Sequence, residues 1–163
     1  MSSKAEIKIT TDEITGLLNK AAENLENTEP LMAEIGNIML DAIMENFEQE
    51  GRDEDGNTNV WPELSPVTMK KRAKIRAETS PILHVSAGGL YDSIQESHDS
   101  TSAVVSTNKI YANTHQFGAK KGEFGEDKHG RPLPWGDIPA RPFMMVTKSD
   151  LDEIIEAFKR HLN

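Results

Sequence analysis

A chain of 163 residues is long enough for one domain with a core of its own and short for two. Lys plus Arg number 18 against 27 for Asp plus Glu, a net charge of −9 that opposes nonspecific adhesion to DNA or to an anionic membrane. The absence of cysteine removes disulfides, thiolate metal sites and thiol nucleophiles, and with no apolar run near the ~20 residues that span a bilayer and no apolar signal core after Met1, the expectation is a protein made and used in solution with no membrane partner.

In chain order, Ile7 and Ile9 predict a short strand, and Asp12 caps a helix whose apolar positions Ile14, Leu17, Leu18, Ala21 and Leu25 keep three-four spacing before it ends near Asn27. Thr28-Glu29-Pro30 reads as a second helix start, with a capping hydroxyl, an acid at the positive end of the dipole and a first-turn proline. Leu31, Ile35, Ile38, Met39, Ala42, Ile43 and Phe47 then form a stripe broad enough to touch a sheet on one side and a neighbour on another, and Gly51 ends the helix. Residues 51–60 predict an exposed acidic loop. Its acids are spaced like half of a calcium loop, but counted from Asp53 the sixth position is Thr58 where glycine is needed, and the twelfth is Leu64 where a bidentate glutamate is needed.

Trp61 anchors that loop to the core, and Ser65-Pro66 is a capped helix start. The helix that follows carries Lys70, Lys71, Arg72, Lys74 and Arg76, the one dense basic run in an acidic chain. A solvated face beside acidic loops is the preferred reading; contact with DNA phosphate is the alternative, and it requires these side chains to converge on a groove. Ile82 to Val85 predicts a strand or an extended approach, and Ser86 caps a helical turn that aligns Leu90 with Ile94. Gln95–His98 and Ala103–Thr107 predict a hairpin about Asp99-Ser100-Thr101-Ser102.

A short helix from Ile110 places Tyr111 and His115 on one face, with Phe117 before the terminating Gly118. Residues 119–137, rich in glycine, proline and charge, predict a long mobile excursion of the kind that carries function. Ile138 to Val146 returns as an edge strand, because Pro139 and Pro142 cannot donate to a ladder, and Arg141 between them is held out on a stiff arm. Ser149 caps a last helix with Leu151, Ile154, Ile155, Phe158 and Leu162 on one face. The order is that of an α+β fold, a small antiparallel sheet flanked by helices in a single domain over 1–163.

No catalytic, cofactor-binding or metal-binding residues are assigned, and the chain is not expected to be an enzyme. The five histidines, His84, His98, His115, His129 and His161, fall in separate elements with no pair at ligand spacing. No serine sits in a nucleophile elbow, and 27 acids are abundance rather than a paired-carboxylate signal.

Four blocks carry a resemblance. Trp61-Pro62-Glu63-Leu64-Ser65-Pro66-Val67-Thr68 followed by lysines, Ile82-Leu83 with Gly89-Leu90-Tyr91-Asp92-Ser93-Ile94, Tyr111-Ala112-Asn113-Thr114-His115-Gln116-Phe117-Gly118, and Ile138-Pro139-Ala140-Arg141-Pro142-Phe143-Met144 together resemble the phage virion morphogenesis family, which includes tail-completion proteins of Mu-like and related tailed phages. Their shared order over about residues 30–160 is more specific than any one block. Ala87-Gly88-Gly89 departs from the family by an extra small residue, and 119–137 falls where such proteins vary.

The resemblance implies a structural virion protein of the neck, where a DNA-filled head meets a tail, with the α+β fold of tail-completion and tail-terminator proteins. It implies a ring, usually hexameric, around DNA that passes through its lumen without sequence-specific binding. The implied partners are further copies of itself, connector or neck proteins, and the tail tube or tail terminator; the implied location is the virion, after assembly in the host cytoplasm. A hydrophobic content of 36% and a mean hydropathy of −0.56 fit a subunit that gains by burial against neighbours. On this reading Tyr111, His115, Phe117, Arg141 and Phe143 form an assembly edge, while Phe143 as core and Arg141 paired within its own chain remains equally open. Lys120, Lys121, Lys128 and Arg131 are assigned to docking on a partner protein. The rival from another class is a nucleic-acid-binding accessory protein that uses the basic helix 70–76.

Overall fold

The computed structural model describes residues 5–7, 16, 28–75, 80–84 and 87–162. The helix expected over Asp12–Asn27, the cap at Ser86 and the last cation of the basic run, Arg76, therefore lie outside the described residues, Gly16 alone excepted, which is helical.

In chain order the elements are β1 (Ala5–Ile7), α1 (Glu29–Glu48), α2 (Pro66–Lys74), a 3-10 turn (Tyr91–Ser93), β2 (Ile94–His98), β3 (Ala103–Thr107), α3 (Ala112–Phe117) and α4 (Lys148–Leu162). The sheet is antiparallel with order β1-β3-β2, so the expected α+β architecture is present. The predicted hairpin has the expected register, His98 opposite Ala103 and Ile94 opposite Thr107. Its turn is made by Asp99, whose carboxylate accepts the Thr101 and Ser102 amides at 2.7 and 2.9 Å.

α1 lies against both β2 and β3 on one side and α4 on the other, which explains the breadth of its apolar stripe. Leu31, Met39, Ile43 and Phe47 are fully or nearly fully buried. Phe47 centres the core, with ring centroids 5.8 Å from Trp61, 5.5 Å from Tyr91 and 5.2 Å from Phe143. Where α1 ends, Gly51 takes φ +96°, and a Cβ there would lie 2.3 Å from the Trp61 ring, so only glycine lets the tryptophan close over the helix end.

Several local expectations are corrected. The Thr28 hydroxyl makes no cap; it donates instead to the Ser100 carbonyl of the hairpin turn, tying α1 to the sheet. Ile82 and Leu83 form a turn, with Leu83 at φ +67°, rather than a strand, and the helical turn before Ile94 is a single 3-10 turn whose end begins β2. α4 is capped by Thr147 rather than Ser149: the Thr147 hydroxyl accepts the Asp150 amide at 3.3 Å while the Asp150 carboxylate accepts the Thr147 amide at 2.7 Å. Ser65 does cap α2, by accepting the Thr68 amide at 3.2 Å.

The largest correction concerns 138–146, which is not a strand and, among the described residues, joins no sheet; within it Ile138 alone forms a bridge, to Ala119. Two prolines remove its donors, and side chains rather than a strand satisfy much of the remaining backbone. Gln116 Oε1 accepts the Phe143 and Met144 amides at 3.1 and 3.0 Å, Asn46 Nδ2 donates to the Phe143 and Met145 carbonyls at 2.8 Å each, and Trp61 Nε1 donates to the Pro142 carbonyl at 3.0 Å.

Candidate functional site

Tyr111 and His115 do share a face of α3, edge to face with centroids 5.9 Å apart. Tyr111 is half-exposed, while Phe117 and the adjoining Ile110 are 76% and 77% exposed. The His115 carbonyl accepts the Arg141 amide at 2.7 Å, which joins the short helix to the 138–146 segment. The two halves of the expected assembly edge thus meet in space.

Arg141 and Phe143, however, belong to the subunit interior. Phe143 is fully buried, and Arg141 turns inward, with Nε and NH2 donating to the Pro62 carbonyl at 3.0 and 2.8 Å and NH2 to the Glu63 carbonyl at 2.9 Å. Of the two alternatives, Phe143 in the core and Arg141 bonded within its own chain is what the fold contains, while Tyr111 and Phe117 are exposed. The stiff arm expected at Arg141 is instead a clamp on the start of the α2 segment.

Behind this edge is a cleft of about 790 Å³ between α2 and the Tyr111–His115 face. Leu64, Ile75, Leu83 and Leu90 give it apolar walls, Lys71, Arg72 and Arg141 give it cations, and His115 adds an imidazole. Arg72 is buried, bonded to the Ser80 and Pro81 carbonyls, and both guanidiniums are pushed below the usual arginine range, by burial in each case and for Arg141 also by repulsion from Arg72. His115 is held below its ordinary value of 6.5, first by burial and then by the Arg141 charge, so its imidazole is favoured neutral. Its Nδ1 is buried with no hydrogen-bond partner among the described residues.

The inward turn of Arg72 breaks up the basic run: among the described residues of the run, Lys70, Lys71 and Lys74 remain exposed. Among the described residues, no cluster of three or more His, Asp or Glu could hold a metal ion, and no helix is long and apolar enough to cross a membrane.

The excursion over 119–137, expected as a long loop, carries pairing of its own. Ala119 pairs with Ile138 at its base, Phe124 N donates to Leu133 O at 2.8 Å, and Glu126 bridges Pro132 further out, so the segment is an irregular hydrogen-bonded arm. Of the proposed docking cations, Arg131 is tied to Asp127 and lies over the Trp135 ring at 4.9 Å, and Lys120 is tied to Asp137 at 3.1 Å; Lys121 and Lys128 are exposed. What the arm shows most prominently is apolar: Phe124 and Trp135 are 57% and 63% exposed.

Residues 9–163, which contain α1 to α4 with β2 and β3 and leave out only β1 of the named elements, match the model of the phage virion morphogenesis family. The chain belongs to that family. It is also 36% identical over 144 residues to the Mu-like prophage FluMu G protein 2 of Haemophilus influenzae, covering 88% of this chain and 85% of that protein. No solved structure matches it.

As a phage virion morphogenesis protein, the chain has a structural role in building a virion. Three side chains that hold residues 138–146 in place have no role assigned from the sequence: Asn46 and Gln116 bond that segment directly, and Arg52 Nε donates to Asn46 Oδ1 at 2.8 Å. Asn46, polar inside the apolar stripe of α1, was the readable signal; Arg52 sat in what looked like a solvent loop, although it and Gly51 are buried; Gln116 sat inside a recognised block without an assigned role.

Proposed function

We propose that this protein is a tail-completion or neck component that joins head to tail by assembling into a ring around the DNA path, and that it does so without catalysis. The observation that carries this reading is the exposure of large apolar side chains in a virion-building protein: Ile110 and Tyr111 before the start of α3, Phe117 at its end, and Phe124 and Trp135 on the arm that follows. Apolar surface of this kind, flanked by charge, is what subunit contacts cover. A net charge of −9 fits a conduit through which DNA slides without sequence-specific binding.

In this proposal the α3 edge serves contacts between copies, and Lys121 and Lys128 on the arm face a connector or tail-tube protein. Imaging of the purified protein by electron microscopy, alone and with tail tubes, tests it: rings that seat on tube ends are expected. A protein that stays monomeric and leaves tube ends bare would overturn it. Salt-dependent retention of the isolated protein on DNA would instead favour the rival carried by Lys70, Lys71 and Lys74.

A further inference from the structure

The cleft beneath the α3 edge lacks something. Arg72 and Arg141 bond only to main-chain carbonyl oxygens, and among the described residues neither has a carboxylate within ion-pair distance. Glu50, the acid whose charge reaches Arg72, is already engaged by the Ile82 amide at 2.9 Å. Of the two acids on the rim, Asp137 is paired with Lys120, which leaves Glu63. Two buried guanidiniums, an exposed Lys71 and a His115 Nδ1 with no partner among the described residues therefore stand around an apolar hollow whose one unpaired acid, Glu63, is on the exposed rim, its carboxylate bonded to neither guanidinium. The ligand chemistry that satisfies such a hollow is an apolar side chain with a carboxylate beside it.

The arm carries that combination. Glu123-Phe124-Gly125-Glu126 sets a half-exposed phenylalanine between two acids, and Glu126 is exposed. Glu123 is bound back to the Lys120 amide, whereas Glu126 has no ion pair among the described residues. Among the described residues, the hydrogen bonds of residues 120–137 close within that segment, whose base is the Ala119–Ile138 pair. Phe124 is absent from the walls of its own cleft and remains exposed, so the cleft that takes it belongs to another copy.

We propose that the Glu123–Glu126 segment of one copy docks into the cleft of the next, with Phe124 entering beside Ile75 and Leu90 and Glu126 meeting Lys71 and the Arg72–Arg141 pair. The inference rests on the self-assembly reading above and deepens it. Because tip and cleft are different patches, the contact is head-to-tail, the type that closes into a ring when its rotation suits and otherwise grows as a filament.

Two substitutions at exposed positions separate the partners without disturbing the core: Phe124→Asp spoils the tip and Ile75→Asp spoils the cleft, with circular dichroism confirming that each full chain is folded. By native mass spectrometry, wild-type protein is expected to oligomerise and each variant alone to be monomeric. Mixed in equal amounts, the two variants are expected to form a dimer and nothing larger, since each pair retains one intact tip and one intact cleft. A mixture that stays monomeric, or variants that assemble like wild type, overturns the tip-in-cleft contact while leaving self-assembly standing. Wild-type protein that is monomeric at every concentration overturns self-assembly and this contact with it.

Discussion

Asn46 and Phe143 are joined by a hydrogen bond of 2.8 Å from the Asn46 Nδ2 to the Phe143 carbonyl, between two residues that are both fully buried. The same nitrogen serves Met145 O at 2.8 Å, and the Asn46 oxygen accepts Arg52 Nε at 2.8 Å. One carboxamide thus stands in for the neighbouring strand that the 138–146 segment lacks, and it fixes the height at which Phe143 enters the core beside Phe47.

Replacing Asn46 with leucine, which is of similar size, should cost about 2–5 kcal/mol, because two buried carbonyls and one guanidinium N–H lose their partner together. Urea unfolding followed by near-ultraviolet circular dichroism measures this. A loss under about 1 kcal/mol would mean that the backbone finds other partners, and that Asn46 is not what positions the segment.

Arg52 extends the same network. Its guanidinium reaches Asn46, Glu45 at 2.9 Å, the Ala42 carbonyl at 2.8 Å and Asp150 at 2.9 Å, and the Arg52 and Asp150 side chains are only 7% and 12% exposed. Breaking a buried pair from one side leaves an uncompensated charge, so Arg52→Met should lose about 3–5 kcal/mol. Asp150→Asn keeps an oxygen for the Thr147 cap and should lose less. The double variant should be less unstable than the sum of the two, with a coupling of about 0.5–3 kcal/mol. Strict additivity in the urea midpoints would show that the pair does not act as one unit.

What was legible in the sequence is what neighbouring residues decide. The Asp99 turn, the Ser65-Pro66 start and the Trp61 anchor each depend on side chains acting within a few residues or on one large apolar group, and each stands as expected. The cap of α4 was missed by a narrow margin, since Thr147 and Ser149 both offer a hydroxyl with an acid three residues on, Asp150 and Asp152, and the fold uses the Thr147–Asp150 pair. The direction of Arg141 was not legible at all. It is fixed by carbonyl oxygens at Pro62 and Glu63, 79 and 78 residues earlier, and a proline-flanked arginine looks the same in sequence whether it turns in or out. The strand expected at 138–146 failed for the same reason: proline foretold extended backbone, but nothing local foretold that Gln116 and Asn46 would take the place of a ladder.

His115 gives the fold a pH dependence with a defined sign. Burial and Arg141 lower its pKa from 6.5, so between that value and the lower folded one the unfolded chain binds a proton that the folded chain refuses. Stability should therefore fall as pH drops below about 6.5 and level off once the folded imidazole also protonates. Asp53, Asp99, Asp127 and Asp137, held below 3.8 chiefly by hydrogen bonds, act in the same direction at lower pH: the stability they contribute is present above 3.8 and is lost as pH falls below it. Unfolding midpoints measured from pH 7.5 down to 5, about a unit or more either side of the ordinary histidine value, should slope downward in wild type and flatten in His115→Gln. An identical slope in the variant would assign the effect elsewhere.

Gly118 sets the base of the arm. It takes φ +75° and ψ −179°, a region open to glycine and closed to other residues, and a Cβ there would lie 2.7 Å from the Ile138 carbonyl oxygen and 2.9 Å from the Ala140 nitrogen. Those are backbone atoms, so no side chain can swing aside to make room. Gly118→Ala should strain the site by about 1–3 kcal/mol and relieve that strain by opening the Ala119–Ile138 pair. The Phe47 core lies apart from this pivot, so the change should show as faster proteolysis within 119–137 with the near-ultraviolet spectrum retained. Cleavage at the wild-type rate and an unmoved unfolding midpoint would show that the arm does not depend on its glycine hinge.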